Sequence, residues 1–196
     1  MSLRYALLGV LSSMPMTGYD MVRYFEESVG TLWPSSPAQT YQELRKMEAD
    51  GLIVGNVAPR GRRAEKRIYE LTDAGRQSLK RSTLEPYGYP NERDGFRLRF
   101  CYFELIPFDV AREHLNAHIA HYKLQIEQLK ARIEGIESRR SSLLQARLRR
   151  HPDAHEAIVA FRAHALEAHV LFAQAEIAWA KRGLQIVEKL ERKGAA

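Results

Sequence analysis

The sequence predicts a mainly α-helical protein in which a winged helix-turn-helix with a small β-hairpin precedes long C-terminal helices. Helix start signals recur through the first 85 residues, and a basic turn separates two short β-rich segments within them. Beyond residue 114, apolar residues recur at alternating spacings of four and three. We therefore divide the chain into residues 1–85 and residues 86–196.

The first two helices are predicted from an apolar run and a capping signal. The apolar run Leu3–Leu11 gives the first helix, and Met14-Pro15-Met16 interrupts it. Thr17 should begin the second helix, because its hydroxyl can accept a hydrogen bond from a free backbone N–H group. Asp20 adds a favourable charge near that N-terminus, and Gly30 ends the helix.

The third helix has the clearest start in the chain. Ser36 precedes Pro37 at the first helical position, and Gln39 completes a capping box. We expect the helix to end at Asp50-Gly51 and to turn Tyr41, Leu44 and Met47 inward. Its N-terminal face should expose polar side chains, namely Ser35, Gln39, Thr40, Gln42 and Arg45.

A two-stranded hairpin should follow the third helix. Residues 52–57 and 68–71 are rich in β-forming side chains and flank a glycine-containing turn. Residues 60–67 hold five basic groups and one acid; the basic ones are Arg60, Arg62, Arg63, Lys66 and Arg67. Thr72-Asp73 then caps a fourth helix that runs to about Leu84.

Three helices, a hairpin and a fourth helix follow the order of a winged helix-turn-helix, so we interpret residues 1–85 as a DNA-binding domain. A polar helix N-terminus can enter the major groove while basic residues on a turn reach phosphates. The net charge of +6 agrees with an acidic partner. The predicted DNA-binding residues are Ser35, Ser36, Gln39, Thr40, Tyr41, Arg45, Arg60, Arg62, Arg63, Lys66 and Arg67. The alternative is a winged-helix module that binds another protein without specific DNA binding.

The second half predicts dimerisation. The seam of the first long helix contains Leu115, Ile119, Tyr122, Ile126, Leu129, Ile133 and Ile136. After His151-Pro152, a last helix repeats the arrangement with Ile158, Phe161, Ala165, Ala168, Phe172, Ala175, Trp179, Ile186 and Leu190. Two such narrow stripes bury little as a single hairpin, so a second copy would cover the remainder. Packing of both helices within one chain is the alternative.

Other reactive residues carry weaker signals. His114 and His118 have a spacing that could chelate a metal, but no acid or cysteine completes a site, so we expect neither metal nor cofactor. Cys101 lies in the apolar run Phe100-Cys101-Tyr102-Phe103, which predicts a core position. No phosphate-binding glycine loop or nucleophile motif is present, so we expect no enzyme. No apolar run approaches the roughly 18–20 residues of a membrane span, so we expect no membrane partner.

Several motifs make residues 3–81 resemble the PadR family of bacterial regulators. They are Leu3-Arg4-Tyr5-Ala6-Leu7-Leu8-Gly9, Thr17-Gly18-Tyr19-Asp20, Trp33-Pro34-Ser35-Ser36, Tyr41-Gln42-Glu43-Leu44, Met47-Glu48-Ala49-Asp50-Gly51-Leu52-Ile53 and Tyr69-Glu70-Leu71-Thr72-Asp73-Ala74-Gly75-Arg76. The C-terminal half resembles the helical region of the larger PadR proteins. Pro37 and Thr40 depart from the family pattern, which affects the expected sequence readout by the third helix.

The resemblance implies a cytoplasmic homodimer, associated with the bacterial nucleoid when bound to DNA, that represses transcription at a palindromic operator. It also implies release by a small molecule, in some members a phenolic acid or another aromatic compound. Residues 86–196 would then serve dimerisation and effector binding. Our candidates for lining an effector pocket are Tyr19, Phe161 and Trp179.

Overall fold

The fold is described from a computed structural model, which covers residues 2–60, 64–88 and 94–194. The chain forms two compact units. One comprises Met1–Tyr89 with Arg140–His155, and the other comprises Pro90–Arg139 with Glu156–Ala196. The predicted boundary after residue 85 thus lies close to the first crossing between the units. It does not anticipate the return of residues 140–155 to the first unit.

Eight α-helices and three strands make up the described part of the chain. In chain order they are α1 (Leu3–Leu11), β1 (Met16–Thr17), α2 (Gly18–Ser28), α3 (Pro37–Ala49), β2 (Ile53–Arg60), β3 (Ala64–Leu71), α4 (Asp73–Leu84), α5 (Gly95–Phe100), α6 (Phe108–Glu137), α7 (Ser142–Arg150) and α8 (His155–Gly194). Short 3-10 helices occupy Phe103–Leu105 and Pro152–Ala154. The mainly helical winged helix-turn-helix fold with long C-terminal helices is therefore confirmed.

The predicted helix starts are present as hydrogen bonds. The Thr17 hydroxyl accepts from the backbone N–H of Asp20 at 3.1 Å, and the Thr72 hydroxyl accepts from that of Gly75 at 3.0 Å. At the start of α3, both bonds of the Ser36 capping box are formed. At its end, Gly51 has a φ of 69°, a left-handed conformation that glycine adopts without steric cost.

The hairpin of β2 and β3, called the wing below, belongs to a three-stranded antiparallel sheet in the order β1-β3-β2. Its register pairs Ile53 with Leu71 at one end and Arg60 with Ala64 at the other. Strand β1 was not predicted, because two residues are too short to show an alternating pattern. Its pairing with β3 ties the loop before α2 to the base of the wing.

The core of the first unit joins the helix-turn-helix to the wing. Leu8 of α1, Met21 of α2, Leu44 of α3 and Ile53 of β2 are all buried in one cluster. Leu143 of α7 belongs to the same cluster, so this helix completes the core although residues 85–141 separate its start from the end of α4. Tight packing around α3 fixes which of its faces stays exposed.

The second unit is built on contacts between α6 and α8. One cluster contains Leu115 and Ile119 of α6 with Ala180 and Val187 of α8. A second cluster places Leu129 against α8, where it meets Leu166 and Val170. Leu115, Ile119 and Leu129, which the sequence predicts to serve dimerisation without dividing contacts within a chain from contacts between chains, are therefore covered within one chain. The other seam residues, Tyr122, Ile126, Ile133 and Ile136, are half-buried.

Cys101 is exposed, which corrects its predicted core position. Helix α5 ends at Phe100, and the chain turns there, so the apolar run does not continue along one face. Phe100 and Phe103 pack against the second unit's core instead. Among the described residues, no helix is long and apolar enough to cross a membrane, and no three metal-binding side chains cluster.

Candidate nucleic-acid interface

The exposed face of α3 presents polar and aromatic side chains. Gln39, Tyr41, Gln42 and Arg45 are exposed, while Leu44 is completely buried on the opposite face. An ion pair from α1 supports this helix, because Arg4 contacts Glu43 and Asp50, each at 2.7 Å. The face is consequently held on a rigid support, as base recognition in a major groove requires.

Gln39 serves the capping box and the exposed face at the same time. Its side-chain Oε1 accepts from the backbone N–H of Ser36 at 2.9 Å, and its own N–H donates to Ser36 Oγ at 3.3 Å. The amide group is thereby oriented, and its NH₂ group still has donors to offer. Such donors match base acceptors such as guanine O6 and N7 in the major groove.

Thr40 is buried and Tyr41 is exposed on α3. Thr40 is only 2% exposed, so its predicted role at the bases is wrong. Tyr41 was predicted to turn inward and was also named among the DNA-binding residues; its exposure contradicts the first prediction and leaves the second open. The Thr40 hydroxyl lies 3.0 Å from Ser35 Oγ and orients that half-buried residue. One residue corresponds to about 100° around a helix, so a small error in helix phase exchanges neighbours between faces.

A groove of about 520 Å³ connects the start of α2, α3 and the wing. Tyr19, Tyr41 and Lys66 contribute to its walls, together with the capped N-terminus of α2 at Thr17 and Gly18. A β-carbon at position 18 would lie 2.5 Å from Tyr41 Cε1, so glycine permits the ring to pack there. Lys66 and the tyrosine hydroxyls suit a backbone phosphate, whereas the carboxylate of Asp20, which also lines the groove, opposes one.

Of the five predicted wing cations, Lys66 and Arg67 have side chains that the structure describes. Arg62 and Arg63 lie outside the described residues, as does the side chain of Arg60. Lys66 is exposed, but Arg67 forms a 2.6 Å ion pair with Glu48 of α3. The same carboxylate oxygen accepts from the Gly55 N–H at 2.9 Å, so Arg67 joins the wing to α3. Hydrogen bonding to Glu48 raises the pKa of Arg67.

Helix α8 has two apolar stripes, of which one packs against α6 and the other is exposed. Its exposed members follow the predicted heptad spacing, and they are Phe161, Ala165, Ala168, Phe172, Ala175, Ile186 and Leu190. Phe161 is 76% exposed. Four other predicted dimerisation residues are half-buried, namely Ile158 and Trp179 of α8 and Tyr122 and Ile126 of α6. The buried contacts of α8 with α6 use different positions, including Leu166 and Val170.

The three candidates for an effector pocket do not meet in the second unit. Phe161 and Trp179 are 18 residues apart on α8, which corresponds to roughly 27 Å along a helix. Tyr19 belongs to the first unit and lies in the groove with Tyr41. Trp179 packs in an aromatic cluster, 5.0 Å from the ring of Phe100 and 5.8 Å from that of Phe96.

The centre of that aromatic cluster holds a charged network that the sequence did not reveal. Glu176 is 2% exposed, and its carboxylate accepts from Arg97 at 2.6 Å. His118 Nε2 lies 3.1 Å from the other carboxylate oxygen, and its ring stacks on Phe96 at 4.2 Å. The guanidinium of Arg97 also lies 5.0 Å from the Trp179 ring. His118 therefore has a structural role between α5, α6 and α8.

Comparisons with known proteins give one consistent result. Residues 7–81 match the model of the transcriptional regulator PadR-like family. The negative transcriptional regulator PadR of Bacillus subtilis (strain 168) is 28% identical over 135 residues, which cover 68% of this chain and 74% of that protein. The structure of Bacillus subtilis PadR in complex with operator DNA has a TM-score of 0.74 at 25% identity and covers 94% of this chain and 97% of that one. Its structure in complex with p-coumaric acid has a TM-score of 0.70 at 24% identity, covering 95% and 98%.

The matched residues 7–81 contain nearly all of the helix-turn-helix and the wing. The structural similarity extends over the C-terminal helices, because it covers almost the whole of both chains. The fold, the exposed face of α3 and these similarities agree with one another. Residues 7–81 form a domain of the PadR-like family of transcriptional regulators, and the whole chain, including its C-terminal helices, is similar in fold to Bacillus subtilis PadR.

Proposed function

We propose that this protein is a sequence-specific repressor that binds a palindromic operator as a homodimer and is released by a small molecule. The observation that carries the proposal is the exposed polar face of α3, which is capped at Ser36 and lies beside the groove lined by Lys66 and Tyr19. A relative described as a negative transcriptional regulator, with a structure in complex with operator DNA, supports repression at an operator.

The exposed stripe of α8 supports the homodimer. From Phe161 to Leu190 it spans roughly 44 Å of helix, and its alanines allow close approach of a second helix. Two copies related by a two-fold axis would each cover the other's stripe, as a symmetric interface requires. A dimer would also present two copies of α3 to the two halves of a palindrome.

Release by a small molecule requires that the ligand bind more tightly to the state that does not bind DNA. The p-coumaric acid complex of Bacillus subtilis PadR supports an aromatic effector for this chain as well.

Selection from a random DNA pool tests the proposed function. We expect enrichment of an inverted repeat whose half-sites are separated by one helical turn or a multiple, about 34–36 Å per turn. Electrophoretic mobility shifts with the selected sequence and a scrambled one then measure specificity. Absence of any enriched sequence, with equal binding to both DNAs, would favour the protein-binding alternative.

Gln39 should contribute to base discrimination. Gln39→Ala is expected to weaken binding to the selected operator by about 1–3 kcal/mol and binding to scrambled DNA much less. The change also opens the capping box, which costs about 1 kcal/mol of stability. Thr72→Ala is the matched control, because it removes a helix cap at α4, and neither Thr72 nor α4 holds a proposed DNA-binding residue. An equal loss of affinity for the operator and for scrambled DNA would show that Gln39 does not contribute to base discrimination.

The wing cations should act through charge alone. Arg62→Ala with Arg63→Ala is expected to weaken operator and scrambled DNA alike, because a turn meets phosphates more readily than base edges. Each lost phosphate contact should flatten the slope of log K against log salt by about 0.9. Titrations of both DNAs across a salt series measure this. A changed base preference with an unchanged slope would contradict the assignment.

A further inference from the structure

A basic cavity lies in the first unit on α4 and α7. Its volume is about 510 Å³, which is within the range of small-molecule sites. Lys80 and Arg76 enter it from α4, and Arg147 and Arg150 from α7, with His151 following. Leu71 and Leu79 supply apolar wall on one part of the surface.

The cations of this cavity lack acidic partners. No carboxylate is among its lining residues. Of the cations that line it, Arg76 is the only one with an ion pair to a residue that the structure describes, and its partner is the highly exposed Asp73. Lys80, Arg147 and Arg150 have no ion-pair partner within the same part of the chain. Like charges gathered in a concave site raise the local potential and favour a bound anion.

Arg147 is the clearest example of a cavity cation without an acidic partner. Its guanidinium donates to Ser12 Oγ at 2.6 Å and, over a long 3.4 Å, to the Gly9 carbonyl, both neutral groups. Burial lowers the pKa of Arg147, because removal from water disfavours the charged form. A half-buried arginine that is held only by neutral acceptors would be stabilised by an anion that enters the cavity.

We propose that this cavity binds a small phosphorylated ligand, with the phosphate held by Arg147, Arg150 and Lys80 and the organic part against Leu71 and Leu79. A multiply charged anion fits better than a monocarboxylate, because several cations converge without an acid. Arginine forks also match the geometry of phosphate oxygens. The hydroxyls of Ser12 and Thr83 add neutral hydrogen-bonding groups to the lining.

A free ligand suits this site better than a phosphate of the DNA backbone. Arg147 is half-buried and is the least exposed cation of the cavity, whereas backbone phosphates meet side chains on exposed surfaces. The face of α3 and the groove with Lys66 use different residues from this cavity. The proposal therefore does not depend on which operator the protein binds.

Titration calorimetry with the full chain tests the proposal, using inorganic phosphate, phenyl phosphate and benzoate at constant ionic strength. We expect phenyl phosphate to bind more tightly than inorganic phosphate, and benzoate at least tenfold more weakly than phenyl phosphate. Arg147→Met should weaken phenyl phosphate binding at least tenfold, because methionine fills the space without the charge. Lys80→Met tests the same site from α4 if Arg147→Met does not fold.

Arg149→Met is the matched control, because Arg149 is exposed on the same helix but does not line the cavity. It should leave phosphate binding unchanged. Equal weakening by Arg149→Met, or no heat of binding for any phosphate, would overturn the proposal. If Arg147→Met and Lys80→Met weaken binding to scrambled DNA in phosphate-free buffer and Arg149→Met does not, the cavity is a DNA contact and the proposal is wrong.

Discussion

Replacing Phe161 and Phe172 by glutamate is expected to give a monomer whose operator binding is at least a hundredfold weaker. Both rings are exposed on the α8 stripe, although burying a phenylalanine side chain contributes about 1.5–3 kcal/mol. Two such losses per subunit, together with four buried carboxylates, would exceed the stability of an ordinary dimer interface. A monomer also loses the second reading head, and linked heads gain about 10²–10⁴ in avidity.

Sedimentation equilibrium at micromolar concentration measures whether the double variant is a monomer. Fluorescence anisotropy with the selected operator measures its affinity for DNA. Gln174→Glu is the control, because it adds a negative charge to α8 about 200° around the helix from Phe172. It should remain dimeric. A double glutamate variant that sediments as a dimer would show that another surface holds the subunits together.

Helix starts could be predicted from the sequence because their signals are local. The Ser36 capping box and the Thr17 and Thr72 caps depend on residues within three positions of one another. The exposed face of α3 was harder to assign, since Thr40 and Tyr41 are neighbours and only tertiary packing decides which is buried. The hydroxyl of buried Thr40 forms a hydrogen bond with the Ser35 hydroxyl, so it has a partner inside the protein.

The periodicity of α6 correctly identified a face that must be buried but not what covers it. Leu115 and Leu129 would show the same spacing whether their partner were α8 of the same chain or a second copy. The structure shows that α8 has two apolar stripes, one buried against α6 of the same chain and one exposed. The sequence-based stripe through Phe161 and Phe172 was the exposed one, which is why it remains the candidate for dimerisation.

Contacts between distant residues could not be predicted from one sequence. Nothing near Arg67 indicates that Glu48 of α3 would pair with it, 19 residues earlier. The return of α7 to the first unit had a partial local signal, because Leu144 and Leu148 are four residues apart and so lie on one face of a helix, with Leu143 beside them. Glu176 had no signal, since a buried glutamate among alanines has the same local pattern as a solvated one.

Arg97→Met is expected to destabilise the second unit by about 3 kcal/mol, the lower end of the range for breaking a buried ion pair. Glu176 is 2% exposed. When Arg97 is replaced, the carboxylate of Glu176 stays in the aromatic cluster with His118 as its remaining partner. Hydrogen bonding to Glu176 raises the pKa of Arg97, which reflects the same attraction. The reverse change, Glu176→Met, should cost less, because the half-exposed Arg97 can turn to water.

Denaturant unfolding followed by fluorescence separates these variants. In a Trp33→Phe background, Trp179 is the one remaining tryptophan and reports on the cluster that Arg97 contacts. All variants are compared at one protein concentration, because association would shift the apparent stability.

The double variant Arg97→Met with Glu176→Met should recover most of the stability that Arg97→Met loses, since two apolar groups replace the pair without an orphaned charge. Additive losses in this double-mutant cycle would show that each residue acts through its packing alone. A larger loss for Glu176→Met than for Arg97→Met would mean that the carboxylate stabilises α5, α6 and α8 through more than its bond with Arg97. Recovery in the double variant would instead establish that the unpaired charge of Glu176, rather than the missing guanidinium, is what destabilises the unit.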